Sequence, residues 1–234
     1  MTTETLSAAW KRGGGGVLQT ENVSDEKPGC SVNDFSKLRG FHSEHLADLA
    51  KSGLSTETIL ELGIHTVPPR WIRKHLGFDN PGVESLLCFP YPGVDGFCRD
   101  KVFPPLKGEN GHTTRYLQRK GSGVHLYIPP RARAALTDPS VTLHVTEGEK
   151  KAAKACQERF PCIGLGGLWN WLSDGNPISD LDLVTWQERR VVLVPDNDVW
   201  QERDDLLHAV CALGAELERR GAYVRILRIP EEGT

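Results

Sequence analysis

The chain has 234 residues, 38% of them apolar, and a formal net charge of −3, so it can bury a sizeable core and is not a globally basic binder of nucleic acid. Any contact with nucleic acid must therefore use a local patch. Six cysteines occur without CxxC spacing, and neither a signal-like apolar start nor an apolar run of membrane length is present, which predicts reduced thiols, cytoplasmic localisation and no membrane partner.

Residues 1–34 are polar, contain the run Gly13 to Gly16, and are expected to form a flexible tail in which Lys11 and Arg12 are solvated. HSEHLADLAKSG and LSTETILELG within 41–64 predict two short helices, with Ser55 as an N-cap and Gly53 and Gly63 as stops. His42 and His45 fall three apart on one turn, a spacing open to a metal, but with no cysteine pair nearby a surface or packing role is favoured. PPRWIRKH at 68–75 is a basic and aromatic cluster that fits either a phosphate contact or a solvated helix face. LLCFPYPGVDGFCRDKVF at 86–103 predicts a β-hairpin turning over 92–96, with Arg99 and Lys101 as candidate nucleotide or nucleic-acid ligands. Cys88 and Cys98 can face each other across it. They are read as buried small hydrophobes in preference to a disulfide or a zinc pair.

From Asn110 to Thr137 there is no acidic residue, while Arg115, Arg119, Lys120, Arg131 and Arg133 are interleaved with Tyr116, His125 and Tyr127. Cations that follow phosphates and rings that stack on bases have this composition, so Arg115, Tyr116, Arg119 and Lys120 are candidate ligands for single-stranded nucleic acid or nucleotide phosphate.

Two apolar runs rich in β-branched residues follow, within 141–151 (VTLHVTEGEKK) and 190–199 (RVVLVPDNDV). Strands without polar alternation are usually buried on both faces of a parallel sheet, and ligands of such sheets sit beyond the strands' carboxyl ends. Glu147, Glu149, Asp196 and Asp198 are thereby expected on one rim. Carboxylates brought together raise one another's pKa, a repulsion that Mg²⁺ or Mn²⁺ offsets. Lys150 and Lys151 open the next helix, 148–160, and are candidate phosphate contacts. CIGLGG then reads as a strand entering a glycine turn, with Gly164, Gly166 and Gly167 near the site and Trp169 and Trp171 as packing residues. Residues 200–220 predict an amphipathic helix with Leu206, Leu207, Val210, Leu213 and Leu217 on one side, capped by Gly221, before a last strand at 223–229. The order β-α-β-(α)-β-α-β predicts an α/β fold whose parallel sheet has helices on both faces.

The strand ending in Glu147-Gly148, the glycine turn after the next strand, and the strand ending in Asp196-Asn197-Asp198 resemble the Toprim domain of bacterial-type primases, topoisomerases, recombination mediators and related nucleases. The longer string TEGEKKA…GLGGLWNW…RRVVLVPDNDV resembles the Toprim-like domain of phage and plasmid replication proteins. Arg115-Tyr116 and Leu126-Tyr127 are similar to segments of the basic subdomain that precedes this domain in bacterial-type primases. The resemblance implies a tail at 1–34, a smaller α+β basic subdomain at 35–138 and a Toprim-like domain at 139–234.

It also implies a nucleotidyltransferase making short primers on single-stranded DNA from nucleoside triphosphates, in a phage or plasmid replication system that includes a replicative helicase. Mg²⁺ or Mn²⁺ would be held by Glu147, Asp196 and Asp198, with Glu149 as an outer ligand and Glu147 in proton transfer. A metal-dependent nuclease or a noncatalytic DNA-binding module are the alternatives. The chain departs from the family in three ways: no Cys/His set has the spacing of the primase zinc module, no GxxxxGK[ST] occurs, and the acidic pair after the last strand is matched only by Glu231 and Glu232.

Overall fold

Alternation along the hairpin explains how the first half of the protein is layered. The computed structural model describes residues 35–108, 111, 113–201 and 204–229, so the predicted tail and Glu231 and Glu232 lie outside the described residues. Helices α1 (Ser43–Lys51) and α2 (Thr56–Glu61) form as the sequence predicts: the Ser55 hydroxyl accepts a hydrogen bond from the Thr58 N–H at 3.2 Å, and Gly53 and Gly63 take φ of 65° and 64°. Strand β1 (His65–Val67) and helix α3 (Ile72–Leu76) precede the hairpin of β2 (Ser85–Pro90) and β3 (Cys98–Lys107), and β4 (Thr113–Leu117) completes an antiparallel sheet in the order β1-β2-β3-β4. On β2, Leu87 and Phe89 join the main core with Leu49, Leu54 and Ile59, while Leu86 and Cys88 face a satellite core with Ile72, Leu76 and Val102. Both faces of β2 are covered.

After α4 (Arg133–Leu136) the chain runs through β5 (Leu143–Glu147), α5 (Glu149–Gln157), β6 (Cys162–Leu165), the small pair β7 (Leu172–Ser173) and β8 (Asn176–Pro177), then β9 (Arg190–Val194), α6 (Asp204–Arg219) and β10 (Tyr223–Ile226). The second sheet is wholly parallel with the order β10-β9-β5-β6. Its two helical crossovers, β5-α5-β6 and β9-α6-β10, leave the central pair in opposite directions, so a common right hand puts α5 and α6 on opposite faces. Val145 and Leu193 line a small cavity with Val210 and Leu213 of α6, and an added Cβ at Gly214 of α6 would stand 3.7 Å from Leu193 Cδ1, while His144 lines the groove on the other side of the sheet.

The protein is thus a mixed α/β fold whose parallel sheet is flanked by helices. Two elements differ from expectation. The bracketed helix between the second and third parallel strands is replaced by the β7–β8 pair and a 3₁₀ turn at Ser179–Leu183, because SDGNPISD is dense in turn formers. The helix expected from Trp200 begins at Asp204, after a separate 3₁₀ turn at Asn197–Trp200.

The main core runs from Leu49 and Phe89 through Tyr127 to Val145, Leu193 and Leu217, and the described residues fall in one compact unit. Tyr127 links the halves through two 2.8 Å backbone hydrogen bonds with Gly164 on the edge strand β6.

Candidate active site

Strands β5 and β9 are neighbours in register, Thr146 opposite Val194, so Glu147 and Asp196 emerge at the same edge of the sheet. Glu147 is partly buried. Burial raises its carboxyl pKa above the ordinary value, Asp196 and Asp198 raise it further by like-charge repulsion, and Lys151 and Arg99 oppose the rise. Lys151 Nζ donates to Asp196 Oδ1, which places a cation between the helix start and the acidic rim. Among the described residues, two groups bring three or more candidate ligand atoms within 4.8 Å of one another, and the acidic trio is not one of them. Asp196 is engaged by the lysine.

Gly148 makes the turn from β5 into α5 with φ of 87° and ψ of 151°, a conformation reserved for glycine. The turn swings Glu149 inward. Its Oε1 accepts from Arg99 Nη1 at 2.8 Å and from the Tyr91 O–H at 2.7 Å, and its Oε2 is buried without a partner. Arg99 comes from β3 of the antiparallel sheet and lies over the Tyr116 ring of β4 at 4.9 Å. Gly166 makes room for it, since a Cβ there would stand 2.5 Å from Arg99 Nη1. Lys101 and Lys150 both donate to Asp48 of α1, Lys150 at 2.8 Å, and together they hold that carboxyl below its ordinary value against the upward push of burial.

These groups enclose a groove of about 840 Å³ between the two sheets. Glu147, Glu149, Asp196, Lys150, Lys151, Arg99, Arg115 and Tyr116 all line it, so residues from both halves of the sequence meet there. Asp198 acts on Glu147 electrostatically, and Lys101 is joined to the wall through Asp48. Arg119 lies beside Gly77, where an added Cβ would stand 3.4 Å from its Nε, Lys120 is exposed, and neither lines the groove. Leu126 and Tyr127 are core residues; Trp171 is buried, whereas Trp169 is 43% exposed and stacks on it with ring centroids 6.4 Å apart. Sequence reading passed over Asp48, Ser52, His144, Lys154 and Phe160. Asp48 carries no local signal, because it lies on the helical face that happens to meet two lysines from other elements.

A family model described as a domain of unknown function, DUF3854, matches residues 133–234. No curated protein matches the chain. Among solved structures, the chain resembles the crystal structure of the Aquifex aeolicus primase, described as its zinc binding and RNA polymerase domains, with a TM-score of 0.56 and 11% identity over 82% of this chain and 51% of that one. The match therefore spans about half the length of that primase chain. The described fold is primase-like: a parallel sheet flanked by helices, preceded by an antiparallel sheet that walls the same groove.

Proposed function

We propose that the protein is a primase-like nucleotidyltransferase that makes short primers on single-stranded DNA from nucleoside triphosphates. The observation that carries this reading is the groove itself, in which carboxylates at the ends of two parallel strands face Arg99, Arg115 and Tyr116 across the sheets. The primase-like fold and the Toprim resemblance support it. On this reading 35–138 forms the basic wall and 139–234 the acidic wall.

Glu147, Asp196 and Asp198 fit a hard divalent cation, because burial first and repulsion from the two aspartates second raise the Glu147 carboxyl, and Asp196 already draws a cation in Lys151. When bound, Mg²⁺ or Mn²⁺ would neutralise charge developing on the phosphate during displacement. The protein's own groups do the rest. Glu147, half-buried and raised in proton affinity, takes the proton of the attacking hydroxyl on a carboxylate oxygen. Lys151 and Arg115 bind phosphates, and the Tyr116 ring stacks on a base. The setting implied by the resemblance is phage or plasmid replication beside a helicase.

The test is primer synthesis from labelled nucleoside triphosphates on an unprimed single-stranded template with Mg²⁺ or Mn²⁺. Wild type is expected to make new short oligonucleotides, and Asp196→Asn to lower the yield on the order of 100-fold or more without loss of fold. Template degradation without new product would move the same carboxylates to a nuclease. Equal product from both proteins would remove Asp196 from the site.

A further inference from the structure

We infer that His75, Cys88, Cys98 and Asp100 form a zinc site on the side of the β2–β3 hairpin turned away from the groove. Cys88 lies directly across from Asp100 in the hairpin register, and Cys98 precedes Asp100 by two residues, so all three project from one face. His75 reaches them from α3. Its Nε2 stands 2.8 Å from Asp100 Oδ1 and 3.5 Å from Cys98 Sγ, and Cys98 Sγ stands 3.9 Å from Asp100 Oδ2. One candidate ligand atom from each of the four residues lies within 4.8 Å of all the others.

Zinc bonds of about 2.3 Å to sulfur and about 2.0–2.1 Å to nitrogen or oxygen require tetrahedral ligands spaced roughly 3.3–3.8 Å apart. The observed spacings bracket that range, so small side-chain movements would close the site. A Cys₂-His-carboxylate donor set is a soft and borderline one suited to zinc and not to magnesium.

Buried thiols alone are ordinary core filler, and Cys88 does sit beside Leu76, Leu86 and Val102. Filler does not explain a fully buried aspartate in the same pocket, or a histidine that meets both the carboxylate and a thiol. His75 and Cys98 are partly exposed and border an open cavity of about 600 Å³, which gives a metal a way in. Binding would displace the thiol protons, so affinity rises with pH. The same strand alternation gives the site a purpose. Cys98 and Asp100 face the metal, while Arg99 and Lys101 between and after them face the groove wall. A metal tying α3 to β3 would hold that wall in register.

The experiment uses the full chain purified under reducing conditions. About one zinc per chain is expected by elemental mass spectrometry, falling severalfold or more in His75→Ala and Cys98→Ser and unchanged in Asp196→Asn. If the two variants fail to fold, wild type stripped with a chelator and titrated with Co²⁺ still decides: a thiolate-to-cobalt charge-transfer band with tetrahedral visible bands supports the site. Absence of stoichiometric zinc together with absence of that band overturns it.

Discussion

Two donors converge on one oxygen of Glu149, whose second oxygen is buried without a partner, so the charge balance of this spot depends on Arg99. The pair is deep: the side chains are 13% and 1% exposed. Removing one partner of a buried pair leaves an uncompensated charge, at a cost of about 3–5 kcal/mol. Arg99→Met is therefore expected to lower stability by that order in urea denaturation, and Arg99→Met with Glu149→Gln to regain a large part of it. A double variant no more stable than Arg99→Met would refute the pairing. Sequence reading put Glu149 on the acidic rim because it follows the strand end by two residues. What it could not see is the φ of 87° at Gly148, which turns the chain and sends Glu149 under the groove to Tyr91 and Arg99. Arg189 was equally silent: adjacent to an exposed arginine in sequence, it is fully buried and donates to the Thr185, Val141 and Leu136 carbonyls.

At the scale of elements, α1 is pinned to the antiparallel sheet by a buried histidine. His45 lies between Thr66 Oγ1 at 2.7 Å and Ser85 Oγ at 3.1 Å and is fully buried, so of the surface and packing roles the sequence left open it takes packing, while His42 is exposed. Burial lowers its pKa from 6.5 to about 4; Glu44 and Asp48 pull it up, and His42 and Lys101 push it down. A folded-state pKa below the unfolded one gives stability that is full above pH 6.5 and drains as pH falls toward 4, on the order of 3 kcal/mol in all. His45→Gln removes the titration. Between pH 7 and pH 4.5 wild type should lose about 2 kcal/mol more than the variant, measured by urea unfolding at each pH. Parallel losses would show that His45 is not held neutral. Hairpin, glycine stops and the parallel strands were all legible, since each has a local pattern of apolar period or turn residue. The region between β6 and β9 was not. The β-α alternation alone suggests a helix there, but Gly175 at φ 77° and Asp174 at φ 50° belong to a tight turn.

Taken as a whole molecule, the protein carries a net charge of −3 yet gathers Arg99, Arg115, Lys150, Lys151 and Lys154 around one groove. Most of these cations are already engaged: Arg99 with Glu149, Lys150 with Asp48, Lys151 with Asp196 and Lys154 with Glu158. Among the described residues Arg115 has no carboxylate partner, is exposed, and lines the groove next to Tyr116. Composition alone ranked Arg115, Arg119 and Lys120 together, because all lie in the same acid-free stretch; the fold separates them, since β4 ends at Leu117 and the chain then leaves the groove. A phosphate contact made by one arginine releases counterions, and for single strands its loss reduces the slope of log K against log salt by about 0.7. Arg115→Ala should therefore weaken binding of a single-stranded oligonucleotide and flatten the slope by about that amount, whereas Lys120→Ala should leave the slope near wild type. Fluorescence anisotropy across a salt series reads both variants. If Lys120→Ala flattens the slope and Arg115→Ala does not, the strand follows the outer face of the basic half and does not pass between the two sheets.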